Sequence, residues 1–135
     1  MSSASFALQA AIFSKLTADA PVLAALGGAR IYDEVPTRAE FPYLTFGQST
    51  ERDWSTATDL GHEHIFTLHV WSRARGRKEA DVALAAVEAA LHDTVLTLSG
   101  HRLVNLRHEF TDARREPDGE TYHGIARYRA VTEAV

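Results

Sequence analysis

Apolar and polar residues alternate from residue 63 to residue 72, and this pattern limits the possible folds more than any other feature of the sequence. In an extended strand, side chains two residues apart point to the same face, so Phe66, Leu68 and Val70 share one face. That apolar face has to be covered by another layer of the protein. The pattern therefore predicts a strand in a sheet that packs on one side.

The covering layer is predicted over residues 79–92, a segment rich in alanine, the residue with the highest helix propensity. Ala80, Leu84, Val87 and Leu91 recur there at helical spacing. We expect this helix to pack its apolar stripe against the alternating strand, because each element has one stripe that must be buried.

Two further helices are predicted near the start of the chain. Residues 3–18 carry apolar residues every three or four positions, and we expect this stripe to face the core: Phe6, Leu8, Ile12, Phe13 and Leu16. Residues 22–26 are predicted to form a short helix that stops at Gly27 and Gly28, since glycine best tolerates the left-handed conformation of a helix cap.

Strands are predicted at residues 30–35, 41–49, 102–111 and 121–132, with a short apolar segment at 95–98. Residues 50–61 are polar and rich in turn-forming residues, so they are predicted to form a long loop. Pro117, Asp118 and Gly119 favour a tight turn, which makes the last two strands a C-terminal hairpin. The order of elements predicts one α+β domain, residues 1–135, with a mostly antiparallel sheet and two main helices packed on one face.

Composition argues against several classes of protein. The formal net charge of -4 argues against a surface built to neutralise nucleic-acid phosphates. The absence of cysteine removes disulfides, thiolate nucleophiles and cysteine-based zinc sites, and fits folding in a reducing cytoplasm. The first residues lack a signal-peptide pattern, and no run of about 18 apolar residues occurs. We therefore expect a soluble protein with no membrane contact.

Sequence signals for metal binding and catalysis are weak. His62 and His64 share one face of the predicted strand, where two imidazoles could reach one ion, but a closed site needs further ligands that the sequence does not indicate. The chain has no Gly-x-Ser-x-Gly, no glycine-rich phosphate loop and no His-Glu-x-x-His. We expect no catalytic residues, no metal and no cofactor, and we keep a small metal-dependent hydrolase as the least favoured alternative.

Aromatic and basic residues outside the core stripe indicate contact surfaces, since tryptophan and arginine are enriched at interfaces. The candidate interface residues are Arg52, Asp53, Trp54, Trp71, Arg73, Arg75 and Arg77. We expect the loop at 50–61 to be mobile in the free protein and to order against a partner, with Trp54 as its anchor. The alternatives are that residues 73–78 form a solvated basic loop and that Trp54 folds back onto its own domain.

A series of short motifs runs along nearly the whole chain. In order, they are Gly27-Gly28-x-Arg30-Ile31-Tyr32-Asp33, Pro36, Phe41-Pro42-Tyr43-Leu44-Thr45-Phe46-Gly47, Val70-Trp71-Ser72, Gly76, Leu98-x-Gly100-His101-x-Leu103, Asp118-Gly119 and Arg127-Tyr128-Arg129. In order and spacing, this series resembles a family of phage tail terminator or tail completion proteins that is found in prophages and gene transfer agent clusters.

The resemblance implies a structural protein that forms a ring, commonly a hexamer, on the head-proximal end of the finished tail tube. Such a ring would stop tube polymerisation and join the tail to the head. Its partners would be further copies of itself, the major tail tube protein and a head-completion or connector protein, with DNA passing through without specific binding.

The resemblance also implies a place in the tail of a virion or phage-like particle that assembles in the bacterial cytoplasm. It supplies no catalytic residues. A head-tail connector or a minor tail subunit of the same particle stays open as the alternative.

Overall fold

The computed structural model describes residues 3–135, so the first two residues of the predicted 1–135 domain lie outside it. In chain order, the elements are α1 (Ala4–Thr17), α2 (Ala20–Leu26), β1 (Ile31–Tyr32), β2 (Tyr43–Asp53), β3 (Gly61–Ser72), α3 (Lys78–Leu91), β4 (Thr97–Leu98), β5 (His101–Arg115) and β6 (Tyr122–Ala134). The described strands form one sheet in the order β1-β2-β3-β6-β5-β4. The predicted α+β class is confirmed.

The centre of the sheet is the antiparallel pair β3 and β6, which runs from Gly61 opposite Glu133 to Ser72 opposite Tyr122. β2 and β5 flank this pair, and both are antiparallel to their inner neighbours. β1 is parallel to β2 but covers only two of its residues, and β4 likewise covers only two residues of β5. The sheet therefore has long strands inside and very short strands at its two edges.

The helices cover one face of this sheet and enclose the core. The stripes that the sequence predicts for α3 and β3 lie in a single buried cluster: Leu84, Val87, Leu91, Phe66, Leu68 and Val70. The predicted packing of the long helix on the alternating strand is therefore confirmed.

The ends of α1 and α2 follow from their capping residues. The Ser3 hydroxyl accepts a hydrogen bond from the Phe6 amide, and the Asp19 carboxylate accepts one from the Val22 amide. Gly27 ends α2 with φ 77°, the left-handed cap that glycine favours.

One part of the helix prediction is wrong. Leu8, Ile12 and Leu16 face the core, but Phe6 and Phe13 are 63% and 43% exposed. α1 carries apolar residues on both sides, so spacing alone could not show which side the protein buries.

Two strand predictions need correction. The strand predicted at 30–35 is limited to Ile31–Tyr32. β2 does not stop at Ser49 but continues to Asp53, so the loop is residues 54–60 rather than 50–61. The extension is polar and exposed on both faces, so it lacks the alternation of apolar and polar residues that predicts a strand. Pairing with β3 nevertheless holds it extended, as far as Asp53 opposite His62.

The C-terminal hairpin is confirmed, with both strands longer than predicted. Its turn is closed by a hydrogen bond from the Glu116 amide to the Thr121 carbonyl, and Gly119 adopts φ 77°. The Asp118 carboxylate accepts hydrogen bonds from the amides of Glu120 and Thr121, which fixes the tip of the hairpin.

Candidate functional site: the open face of the sheet

The sheet face opposite the helices, called the open face here, is left uncovered by the described helices. It is formed by alternate residues of β3 and β6, because successive side chains of a strand point to opposite faces. The side chains of Trp71, His69 and Glu63 all lie on it. The open face therefore carries several of the candidate contact residues.

Trp71 lies in an aromatic stack at one end of the open face. Its indole is parallel to the imidazole of His123, with ring centroids 3.8 Å apart, and His123 stacks in turn on His69 at 4.9 Å. The indole N–H donates to the Thr45 hydroxyl at 3.1 Å. Trp71 lies on the face opposite Phe66, as predicted, and its ring is held in a fixed orientation.

The two histidines of this stack also belong to a series of hydrogen bonds. The Glu116 carboxylate accepts from Nδ1 of His123 at 2.7 Å, and Nε2 of His123 lies 2.6 Å from Nδ1 of His69. Nε2 of His69 lies 3.2 Å from the Thr67 hydroxyl. Burial lowers the pKa of His69, and the neighbouring His123 lowers it further. The hydrogen bonds along the series fix the orientation of both rings.

Gly47 makes room for the His69 ring. A Cβ on Gly47 would lie 2.2 Å from Nε2 of His69 and 2.5 Å from the Thr67 hydroxyl oxygen. Any larger residue at this position would displace His69 from its partners. The sequence motif that ends in Gly47 thus has a steric reason in the structure.

Trp54 lies at the other end of the open face. Its amide donates to the Gly61 carbonyl, which closes the β2–β3 hairpin, and its ring is 47% exposed. The guanidinium groups of Arg52 and Arg129 lie 5.2 and 5.4 Å from the ring centroid. These are cation–π distances, so the indole rests against its own sheet while keeping half of its surface free.

Glu63 joins the two arginines beneath this ring. Arg129 donates to one carboxylate oxygen at 2.6 Å, and Arg52 donates to the other at 2.5 Å. The hydrogen bond from Arg129, followed by that from Arg52, lowers the pKa of Glu63. Arg52 and Asp53 belong to the strand rather than to a loop, which corrects their predicted setting.

The predicted basic residues 73–77 lie in the loop between β3 and α3. Arg73 donates to the Thr121 hydroxyl, and its guanidinium lies 4.4 Å from the ring centroid of Phe41. Arg75 is exposed, and Arg77 is 3.9 Å from Asp81 one helical turn along α3. Arg73 is thus tied to the hairpin tip, while Arg75 and Arg77 face solvent.

The candidate interface residues form two groups rather than one site. Arg52, Asp53 and Trp54 lie at the start of β3, and the group from Trp71 to Arg77 lies at its end. At about 3.3 Å per residue, the length of β3 separates them by roughly 36 Å. Each group would therefore meet a different partner surface.

The histidine pair considered for metal binding is explained by packing. His64 is fully buried, and its Nε2 lies 2.9 Å from the Thr132 hydroxyl, while burial lowers its pKa. The rings of His62 and His64 are 6.2 Å apart. Within residues 3–135, no three His, Cys, Asp or Glu side chains are arranged to hold a metal ion.

Sequence analysis missed two surface features. His69 and His123 carry no sequence signal, because they come from strands 54 residues apart in the chain. The second feature is an apolar groove beside α1 that is lined by Phe6, Ala10, Val95 and Leu96. Its signal was the apolar character of α1 on both sides, which is typical of a helix that is buried on both sides.

Comparison with known proteins gives one family. The family described as tail completion protein gp17 matches residues 10–133. No curated protein matches the sequence significantly. Between residues 3 and 135, no helix has both the length and the apolar character needed to cross a membrane.

Two solved structures are similar over nearly the whole chain. A chain from the virion of a native gene transfer agent particle superposes with a TM-score of 0.90 at 34% identity, over 99% of this chain and 100% of that one. The gp17 protein of bacteriophage SPP1 superposes with a TM-score of 0.62 at 26% identity, over 94% and 89% of the two chains. These matches confirm the resemblance drawn from the sequence motifs and the expected place in the tail of a phage or gene transfer agent particle. The chain belongs to the tail completion protein gp17 family.

Proposed function

We propose that this chain forms a ring, a hexamer, on the head-proximal end of the finished tail tube, where it ends tube polymerisation and joins the tail to the head. The observation that carries the proposal is the agreement over both full lengths with a chain of a gene transfer agent virion. Family membership over residues 10–133 supports the same role.

The exposed apolar residues support a subunit that becomes more buried on assembly. Phe6, Phe13 and Val95 are 63%, 43% and 90% exposed. Contiguous apolar surface of this kind usually marks a protein contact. In the proposed ring, these side chains lie against other proteins of the tail.

The two groups on the open face serve different contacts in this proposal. Trp54 anchors one contact, with Arg52 and Asp53 at its polar rim. Trp71 and the basic residues Arg73, Arg75 and Arg77 form the other. Because the groups lie at opposite ends of β3, the Trp54 group contacts a neighbouring subunit or the tail tube, and the Trp71 group contacts the head-completion protein. Aromatic and arginine side chains are the usual energetic centres of such contacts.

The proposed role requires no chemistry. Several ionisable groups of the open face are bonded to one another: Glu63 to two arginines, and His123 to Glu116. Such networks orient side chains for recognition, and we propose that the protein acts through binding alone.

Deletion of the gene from its own particle tests this function. If the chain ends tail polymerisation, its deletion should give overlong tails that lack heads. Both defects should disappear when the wild-type chain is supplied again. Tails of normal length without heads would instead assign the chain to a connector and overturn termination. A single copy per tail, counted by quantitative mass spectrometry of particles, would contradict the ring.

A further inference from the structure

The two edges of the sheet leave parts of long strands unpaired. β1 covers β2 only at Leu44 and Thr45, and β4 covers β5 only at His101 and Arg102. The chain after α3 occupies a further part of the β5 edge, where the Asp93 amide donates to the Leu106 carbonyl and the His108 amide donates to Nδ1 of His92. Beyond these contacts, no strand among the described residues covers 46–53 or 109–115.

The hydrogen-bond pattern shows which backbone groups point outward on β2. The Trp54 amide bonds to the Gly61 carbonyl, so Arg52 and Thr50 also bond inward to β3. Because antiparallel ladders alternate, the backbone N–H and C=O groups of Ser49, Glu51 and Asp53 point to the free edge.

The hydrogen bonds of β5 likewise show which of its backbone groups point outward. The Glu116 amide bonds to the Thr121 carbonyl, so Arg114 and Asp112 bond inward to β6. The backbone groups of Thr111, Ala113 and Arg115 therefore point outward. Each free edge presents three outward residues at the same spacing.

We propose that residues 49–53 of β2 pair with residues 111–115 of β5 in a second copy of this chain, antiparallel and with Arg52 opposite Asp112. This inference rests on the proposed ring and names its subunit contact. The two segments differ, so the contact is head-to-tail, which is the kind that generates closed rings. Unpaired strand edges are ready templates for such pairing.

The side chains select this register. Arg52 and Asp112 both lie on the open face, since their neighbours there are Glu63 and Ile125. Asp112 forms no ion pair within residues 3–135, so its carboxylate is available to the incoming guanidinium. A shift of two residues would place Arg52 opposite Arg114 or Phe110. Two like charges directly opposite each other are destabilising in a sheet.

The geometry of the sheet is compatible with closure of the copies into a ring. Across the sheet, Arg52 on β2 is in register with Glu63 on β3, Val131 on β6 and Asn105 on β5. Asp112 on β5 lies opposite Ile125, which is six positions from Val131 along β6. Pairing Arg52 with Asp112 therefore shifts each copy by about 20 Å along the strand direction relative to its neighbour. Each copy adds four long strands to the ring, which together are about 19 Å wide across the strand direction. The strands would then be inclined by about 45° to the ring axis, close to the tilt of closed β-barrels.

The offset also removes a clash between edges. β1 lies at one end of the β2 edge, and β4 lies at the opposite end of the β5 edge. When neighbours are staggered, the short strand of each copy lies beyond the end of the long strand of the next. The short edge strands thus limit the pairing to the free segments.

A cysteine pair tests the contact. The chain has no cysteine, so Thr50→Cys with Arg114→Cys introduces the only two thiols. In the proposed register these residues form a non-hydrogen-bonded pair with a Cα separation of about 4.5 Å, within the range of disulfides. Oxidation of particles that carry this variant should give a ladder of covalent oligomers that ends at the closed ring.

The matched control is Thr50→Cys with Arg107→Cys. Arg107 is exposed on the same strand but lies beside Asp93, outside the proposed pairing, so this variant should remain monomeric on a denaturing gel. Rings visible by electron microscopy without a covalent ladder in the first variant would overturn the inference and leave the ring intact. Particles with no ring in the wild type would overturn the proposed function and this contact together.

Charge reversal gives a second test. Asp112→Arg should reduce incorporation into particles at least tenfold while the melting temperature of the isolated protein stays within a few degrees. Asp112→Glu, which keeps a negative charge opposite Arg52, should leave incorporation normal. Normal incorporation of the single variant would overturn this register.

Discussion

The imidazole of His123 lies 3.8 Å from the indole of Trp71 between ring centroids, with an angle of 11° between the planes. Trp71 is therefore part of a rigid stack and offers a partner one aromatic surface in a fixed place. A preordered side chain loses little conformational entropy on binding. This distinguishes Trp71 from Trp54, whose ring is half exposed and lies against two guanidinium groups.

Replacing Leu84 with alanine should reduce the free energy of unfolding by about 2–5 kcal/mol, the range for a buried leucine. Leu84 is 4% exposed and packs against Gly124, where an added Cβ would lie 2.5 Å from its Cδ1. Urea unfolding of the isolated protein measures the change. Val82→Ala is the control on the same helix: Val82 is 50% exposed, so its loss should be well under 1 kcal/mol. Equal losses in the two variants would contradict the described core.

Replacing Trp54 with alanine should impair assembly far more than stability. The ring makes cation–π contacts at an exposed place, which contribute about 0.5–1 kcal/mol each. Electron microscopy should show overlong or headless tails, while thermal melting shifts by only a few degrees. Leu60→Ala, an exposed apolar residue in the same loop, should leave assembly normal. A large fall in melting temperature with normal tails would mean that Trp54 belongs to the core.

Stability should fall as the pH drops from about 7 to 5.5. Burial lowers the pKa values of His64 and His69, so the folded state binds fewer protons than the unfolded state below their ordinary value of 6.5. Stabilisation from the neutral rings is complete above that value and is lost as the pH falls. Each histidine contributes a slope of at most about 1.4 kcal/mol per pH unit.

Thermal melting between pH 5 and 8 measures this dependence. His64→Gln and His69→Gln should each flatten the curve. The lowered pKa of Glu63 acts in a separate window, because its ordinary value is 4.5 and its contribution is lost only below that pH. A curve that is flat from pH 7 to 5.5 in the wild type would refute the role of the two histidines.

The isolated chain should be monomeric at low concentration and should form rings only on tails. A ring that assembled freely could not mark finished tube ends alone. Analytical ultracentrifugation at micromolar concentration should show one species near 14.9 kDa. Stable hexamers under these conditions would show that the tube end is not needed for assembly.

Regular apolar spacing was enough to predict β3 and α3, and the turn residues Pro117, Asp118 and Gly119 were enough to predict the C-terminal hairpin. The last four residues of β2 escaped prediction, because residues 50–53 are polar and exposed on both faces and their extended form depends on pairing with β3. Phe6 and Phe13 were placed in the core because α1 is apolar on both sides, and spacing cannot distinguish a core from an assembly contact.

The sequence points to individual candidate contact residues but not to their arrangement. Trp54 and Trp71 were identified because they lie outside the core stripe, yet only the sheet shows that they lie at opposite ends of one face. The stack around Trp71 also depends on the contact between His69 and His123, which spans 54 residues of chain. The motifs that resemble tail completion proteins did identify the family, which the comparisons confirm.

The pairing of β3 with β6 at the centre of the sheet also determines the order in which the protein can fold. His64 and Thr132 meet across 68 residues of chain, whereas the terminal hairpin closes over the short turn between Arg115 and Tyr122. Loop-closure entropy favours the hairpin first and makes the central pair the slow step, as expected for topologies dominated by distant contacts. The middle of the sheet can therefore form only after β6 has been synthesised, well after β3. Until then, Phe66, Leu68 and Val70 lack their partners on β6, and this interval is when the nascent subunit is most exposed to aggregation.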